Sequence, residues 1–166
     1  MPDINNLSEY QEQKNRIVTE LIECLRLNYD WSLSHKALFF LVDNFKDEKI
    51  IPALFEIALK DGINNVNGTI IFACQEYSPV ECKPYFQTLT EIVINSNYEA
   101  SWSASTLITN FPKPYDLWEP EIVKVVIVKL KDVSQDATHP NQEFIANTIT
   151  FIESLIYPAM GQSLSV

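Results

Sequence analysis

The chain has 166 residues, 46% of them apolar, and a formal net charge of −10, which is typical of one globular domain rather than of a disordered segment. Nucleic acids and anionic lipids are bound through clustered Lys and Arg, so 12 basic residues against 22 acidic ones argue against both ligands. The three glycines are too few for the turns of a β-sandwich or a dinucleotide-binding fold. The chain also lacks the features of a signal peptide and any apolar run long enough to span a membrane, so the expected location is the cytoplasm.

Apolar residues at helical spacing predict four helices in the first half of the chain, over residues 8–28, 32–45, 47–61 and 64–77. Ser8 with Gln11 three residues later matches a capping box and predicts the start of the first helix. The three cysteines, Cys24, Cys74 and Cys82, are too widely separated for a metal site or a disulfide framework.

Four more helices are predicted in the second half, over residues 79–95, 99–111, 116–133 and from Pro140 onward. Ser78-Pro-Val-Glu81 combines a Ser cap, a proline at the first helical position and a Glu at the third. Asp116 with Glu119 is a further capping box. The segment 122–130 is rich in β-branched residues and is also compatible with a strand, but the cap and the lack of a partner strand favour a helix. Residues 159–166 are expected to form a loose tail.

The predicted helices repeat in pairs. Residues 37–45, 69–77 and 103–111 align without gaps at offsets of about 32 and about 34, and each block ends in two polar residues and an aromatic one. A proline is expected inside the first helix of the later pairs, at Pro52, Pro84 and Pro120, where it would bend the helix. Such a repeat of two helices is typical of an α-solenoid.

The sequence resembles the HEAT family, in which a proline commonly bends the first helix of each pair. The resemblance implies an all-α, right-handed α-solenoid of about four degenerate hairpins, with units at 8–45, 47–77, 79–111 and 116–158. The family favours an Asp in the turn between paired helices, where this chain has Asp30, Asp61 and Asp136, with Asn97 in the third unit. The family's basic residue in the second helix is present only as Lys36. The competing interpretation is an irregular helical bundle.

No catalytic motif is present in the sequence. There is no His-Glu-x-x-His, no phosphate-binding glycine loop and no Gly-x-Ser-x-Gly, and His35 and His139 lack partners at a diagnostic spacing. Cys74 lies on an apolar stripe, where a buried structural thiol is the simpler interpretation. HEAT-like DNA glycosylases are an enzymatic precedent, but they need a basic groove. We therefore expect no enzyme activity, no metal and no cofactor; an unrecognised helical enzyme is the opposing hypothesis.

The candidate binding residues lie on the second helices, which line the concave surface in solenoids of this type. Between residues 61 and 123 the chain has eight acidic residues against Lys83 and Lys113. Tryptophan is enriched as a binding anchor, although packing between repeats would also account for Trp31 and Trp102. The predicted partner-binding residues are Trp31, Asp43, Asn44, Gln75, Glu76, Glu99, Trp102 and Asn110.

By size, acidity and helical content the chain resembles the immunity proteins that neutralise bacterial toxins, including those of contact-dependent growth inhibition. This resemblance of type implies a monomer that binds a basic toxin domain, such as a nuclease, with neither nucleic acid nor membrane as a ligand. The alternative is a HEAT-like scaffold that joins two proteins in a cytoplasmic assembly. Solubility alone is a further explanation of the charge.

Overall fold

The computed structural model describes residues 4–27, 30–46, 49–111 and 119–156. Within these ranges the chain is helical and contains no strand, so the all-α class is confirmed. The helices are α1 (Ile4–Leu27), α2 (Trp31–Asn44), α3 (Ile50–Ala58), α4 (Gly68–Ala73), α5 (Pro79–Cys82), α6 (Phe86–Asn95), α7 (Tyr98–Thr109), α8 (Pro120–Val133) and α9 (Gln142–Ile156). Single 3₁₀ turns cover Ile63–Asn65, Cys74–Glu76 and Lys83–Tyr85.

The longer helices pack in consecutive pairs, α1 with α2, α3 with α4, α6 with α7 and α8 with α9. The second members of these pairs also contact one another in chain order, α2 with α4, α4 with α7 and α7 with α9. Among the first members, α1 contacts α3 and α6 contacts α8. The ring of Tyr85, just before α6, stacks on Phe55 of α3 at a centroid distance of 3.9 Å. One hydrophobic core therefore extends from α1 to α9.

Helix α7 lies at the centre of this packing, against α4, α6 and α9. The first two turns of its buried side are made of small residues, which let neighbouring helices approach closely: Ala100, Ser101, Ser103, Ala104 and Ser105. Larger side chains, Leu107 and Ile108, follow toward its end. The approach is closest at Gly68, where an added Cβ would lie 2.7 Å from Glu99 Cγ and 2.8 Å from the backbone nitrogen of Ala100. Gly68 is thus required by the contact between α4 and α7.

An Asp or Asn residue precedes each second helix. The side chains of Asp30, Asn67 and Asn97 cap α2, α4 and α7 by accepting hydrogen bonds from backbone N–H groups of the first turn. Asn141 occupies the corresponding position, immediately before α9. Asp30, Asn67 and Asn97 thereby satisfy amides that have no partner inside the helix.

Two of these asparagines also bond to the preceding turn. Asn97 Nδ2 donates to the carbonyl oxygen of Val66 at 3.0 Å, and Asn141 Nδ2 donates to that of Ser96 at 3.0 Å. Val66 immediately precedes Asn67 and Ser96 immediately precedes Asn97, so the two bonds are equivalent by position. We call this pair of bonds the asparagine ladder. It connects the turns before α4, α7 and α9 in a single row.

The ladder replaces the aspartate pattern that the family resemblance implied. Asp61 and Asp136 do lie in turns between paired helices, but their hydrogen bonds are local: the carbonyl oxygen of Asp61 accepts from Asn65 Nδ2, and Asp136 bonds within its own turn. The carboxylate of Asp136 accepts from the N–H and the Oγ1 of Thr138. These two local hydrogen bonds lower the pKa of Asp136.

The predicted proline bend is wrong at Pro52 and Pro120. Pro52 is the third residue of α3 and Pro120 is the first residue of α8. The first four N–H groups of a helix have no partner within it, so a proline there removes no hydrogen bond. Pro84 differs, because it lies in the 3₁₀ turn that interrupts the helix expected over residues 79–95, between α5 and α6.

Several predicted boundaries also change. Helix α1 begins at Ile4, upstream of Ser8, because no residue between them interrupts a helix. The single helix expected over 79–95 is divided by the turn at Pro84. Helix α9 begins at Gln142 rather than at Pro140. The capping residue proposed at 116 and the tail over 159–166 lie outside the described residues.

Two local predictions are confirmed. Ser78 and Glu81 form the expected capping box: Ser78 N–H donates to Glu81 Oε2 at 2.7 Å and Val80 N–H donates to Ser78 Oγ at 3.3 Å. The β-branched segment 122–130 lies in helix α8. Its buried residues recur at helical spacing, which places one face against the core: Val123, Val126, Ile127 and Leu130.

Replacing Asn141 with Ala should destabilise the protein. The side chain is 3% exposed and its Nδ2 also donates to Ile94 O at 3.2 Å, so the change deprives two buried carbonyl groups of a donor. We expect the free energy of unfolding to fall by about 2–3 kcal/mol, measured by urea denaturation. Asn147→Ala, an exposed site on the same helix, is the control and should change stability by less than about 0.5 kcal/mol. Equal losses for both variants would contradict the role given to the ladder.

Candidate functional site

Exposed aromatic side chains follow one another along the second helices. Phe40 of α2, Phe72 of α4 and Trp102 of α7 are 52%, 38% and 44% exposed. Phe40 and Phe72 occupy the same position in the aligned sequence blocks. The rings of Phe72 and Trp102 stack across α4 and α7, with centroids 5.6 Å apart and planes inclined by 12°. The ring of Phe40 contacts Phe45 instead, at a centroid distance of 6.1 Å. We call the stacked pair of Phe72 and Trp102, together with Phe40 at the matching position of α2, the aromatic row.

A carboxylate lies beside this row at the start of α7. Thr69 Oγ1 donates to Glu99 Oε1 at 2.8 Å. Thr69 precedes Phe72 by three residues on α4, and Glu99 precedes Trp102 by three on α7. Because residues three apart are neighbours on a helix surface, the polar pair and the aromatic pair lie next to each other. The structure thus brings together two of the predicted site residues, Glu99 and Trp102.

The other predicted polar residues lie at the far ends of the second helices. Asp43 and Asn44 are exposed at the end of α2, and Asn44 Nδ2 donates to the carbonyl of Phe40. Asn110 is exposed at the end of α7. Gln75 is partly buried, and its Nε2 is enclosed without a hydrogen-bond partner. These residues belong to a different edge of the surface from Glu99.

Glu76 lies at this second edge and is engaged by Lys46, which the sequence analysis did not consider. Lys46 Nζ lies 3.6 Å from Glu76 Oε2 and donates to the Glu76 carbonyl at 2.9 Å. The same ammonium donates to Val42 O at 2.7 Å and lies 5.3 Å from the centroid of the Tyr77 ring. The charge of Glu76 is therefore partly balanced within the protein.

Trp31 is the first residue of α2, and its side chain lies outside the described residues. Phe40 and Phe72 were not among the predicted site residues. Their identical place in the aligned blocks is the signal by which the sequence could have assigned both to equivalent helix positions. One side of each helix is buried in the core, and these rings lie on the opposite, exposed side.

The acidic residues between 61 and 123 do not form one face. Glu91 on α6 pairs with Lys129 on α8, and Glu121 pairs with Lys124 within α8. Glu81 is used in a capping box. Much of the acidic excess therefore belongs to the first helices, away from the aromatic row.

Possible small-ligand sites among the described residues are a small cavity and open surface grooves. No group of three or more His, Cys, Asp or Glu side chains within them is arranged to hold a metal ion. None of their helices combines the length and apolar character needed to cross a membrane. A cavity of about 80 Å³ between the first two helix pairs is smaller than the roughly 300–1,000 Å³ of typical ligand pockets. Arg26, which lines it, forms ion pairs with Glu23 and Glu56. Grooves of 420–440 Å³ are larger but open to solvent, and one of them lies between α1 and α2.

Two of the cysteine thiols are buried together. Burial raises the pKa of Cys74 well above its ordinary value, with a smaller contribution from Cys82. Burial and the nearby Glu81 raise the pKa of Cys82 to about 12. Both thiols are therefore protonated at neutral pH, which is the opposite of what a nucleophile needs.

Comparison of the chain with protein-family models, with curated proteins and with solved structures gives no match.

Thiol reactivity tests the environment of the three cysteines. In the native protein at about pH 8, we expect Cys24, which is partly exposed, to react quickly with an aromatic disulfide reagent. Cys74 and Cys82 should react only as fast as the protein opens, because their thiols are buried and protonated. Unfolding in urea should make all three equally reactive. Rapid labelling of Cys74 in the folded protein, located by mass spectrometry, would contradict the structure of this region.

Proposed function

We propose that the chain is a non-enzymatic protein-binding module whose partner is a basic bacterial toxin domain, such as a nuclease, which it neutralises by binding. The observation that carries the proposal is the aromatic row with Glu99 beside it. Solvent-exposed aromatic side chains on ordered helices are typical of binding surfaces. A carboxylate next to them favours a cationic partner.

The proposal includes a fold in which the four helix pairs form a short, right-handed α-solenoid of HEAT-like hairpins. The order of contacts along α2, α4, α7 and α9 supports it, as does the regular position of the asparagine ladder. In such a fold the second helices form one continuous surface. The aromatic row would then run across several repeats and contact an extended area of the partner.

The net charge of −10 supports a basic partner. Opposite net charges speed association by steering the two proteins together. A fast encounter suits a protein that must bind a toxin before the toxin acts. In this role the protein would work in the cytoplasm, where the toxin's targets are found.

A second candidate function is a scaffold that joins two proteins. It is favoured by a second exposed apolar surface, because Val125 and Val128 project from the outer side of α8. An adaptor needs two separate binding surfaces, whereas a toxin inhibitor needs only one. The two functions therefore differ in whether the partner is toxic and in whether a ternary complex forms.

Growth rescue separates the two functions. The partner is first identified by purifying the tagged chain from its native host, and is then expressed alone and together with the chain. We expect the partner alone to stop growth and co-expression to restore it, with a one-to-one complex by light scattering. A harmless partner, or a complex that recruits a third protein through α8, would favour the scaffold instead.

Charge reversal tests electrostatic steering with the same partner. Glu99→Lys should lower the association rate by about tenfold at low salt, and the wild-type rate should fall steeply as salt rises. Glu121→Lys, an exposed change on α8, is the control and should have a smaller effect. A rate that depends neither on salt nor on Glu99 would mean that apolar contact dominates binding, and that the acidic charge serves solubility.

A further inference from the structure

We propose that Glu99, Trp102 and Phe72 form a binding site for the guanidinium group of an arginine side chain on the partner protein. The inference rests on the proposed function, since it specifies the chemistry by which that partner is recognised. It is carried by the joint geometry of the α4–α7 contact. The carboxylate and the stacked rings lie side by side on one exposed surface.

The two rings are stacked in nearly parallel planes. The planes differ by 12° at a centroid distance of 5.6 Å, so each ring covers part of one face of the other, and both residues stay more than a third exposed. A planar cation stacks on such a surface through the negative face of the ring. The contact with Phe72 holds Trp102 in place, so little conformational freedom remains to be lost when a ligand binds.

The carboxylate is also positioned in advance. The hydroxyl of Thr69 binds one oxygen of Glu99, and the close packing at Gly68 fixes the start of α7 against α4. Among the acids described above, Glu76, Glu91 and Glu121 each have a lysine as partner. Glu99 instead accepts from the neutral hydroxyl of Thr69, which leaves its negative charge available to an incoming cation.

Arginine fits this arrangement better than lysine does. A guanidinium is flat, stacks on the exposed face of an aromatic ring and donates hydrogen bonds in its own plane, toward a carboxylate beside the ring. An ammonium is compact, more strongly hydrated and unable to stack. The site should therefore distinguish two peptides that carry the same charge.

Peptide binding followed by NMR tests the site in the full chain. The probes are acetylated tetra-arginine amide and its tetra-lysine counterpart. The indole N–H signal of Trp102, identified by its absence from Trp102→Phe, should shift on titration with tetra-arginine. We expect tetra-arginine to bind at least about fivefold more tightly than tetra-lysine, because only the guanidinium both stacks and pairs. Equal affinities, or an unmoved Trp102 signal, would overturn the proposal.

Two matched variants separate a specific site from the general attraction of an acidic protein. Glu99→Gln keeps a side-chain oxygen for Thr69 but removes the charge, and should weaken tetra-arginine binding by about tenfold. Glu121→Gln removes one charge from α8 and should leave affinity within about twofold. If both variants lose the same affinity for tetra-arginine, the attraction is unspecific and the site is refuted. Circular dichroism and urea midpoints check that both variants are folded.

The outcome is independent of the growth experiment. Arginine selectivity without growth rescue would keep the site and reject the toxin inhibitor. Rescue without arginine selectivity would keep the function and reject this mode of recognition.

Discussion

The asparagine ladder aligns the starts of α4, α7 and α9 with one another. A helix surface packs against its neighbour in several registers of similar hydrophobic burial, because apolar contact has no direction. A hydrogen bond from Asn97 to the carbonyl of Val66 is directional and partly buried. It aligns the start of α7 with the start of α4, and Asn141 does the same for α9 and α7. The pairing of Thr69 with Glu99 follows from this alignment.

Small residues allow the ladder to form. An Asn side chain spans only a short distance, so the turns can bond only if the helices behind them approach closely. Gly68 provides that approach between α4 and α7. Between α7 and α9, Ser105 Oγ lies 3.0 Å from Thr148 Oγ1 and donates to Phe144 O at 3.3 Å. Here buried hydroxyls contribute both a small volume and a hydrogen bond, which keeps the polar groups satisfied inside the core.

The sequence was sufficient for the helical class and for most helices, because their apolar periodicity is strong even in the β-branched segment of α8. It was misleading where a residue has two structural uses. From sequence alone, a proline near a helix start can be a first-turn residue or the site of a bend. Pro52 and Pro120 are first-turn residues. Ser8 matches the sequence of a capping residue, but a residue can cap a helix only where the helix begins. Because α1 already includes the residues before Ser8, Ser8 lies inside the helix. The ladder could not be predicted, since its bonds join residues 31 and 45 positions apart.

The candidate site was predictable only in part, because the sequence does not show which acidic residues pair with a lysine. Counting acids along the chain gives equal weight to Glu76, Glu91 and Glu99. In the folded protein Lys46 crosses from the end of α2 to Glu76, and Lys129 crosses from α8 to Glu91. Only tertiary structure reveals which carboxylates are neutralised in this way. Glu99 differs because it accepts from the hydroxyl of Thr69, and because its neighbour on the helix is an exposed indole. In the proposed complex the net charge would attract a basic protein from a distance, whereas recognition at contact would depend on the few acids that the fold leaves unbalanced.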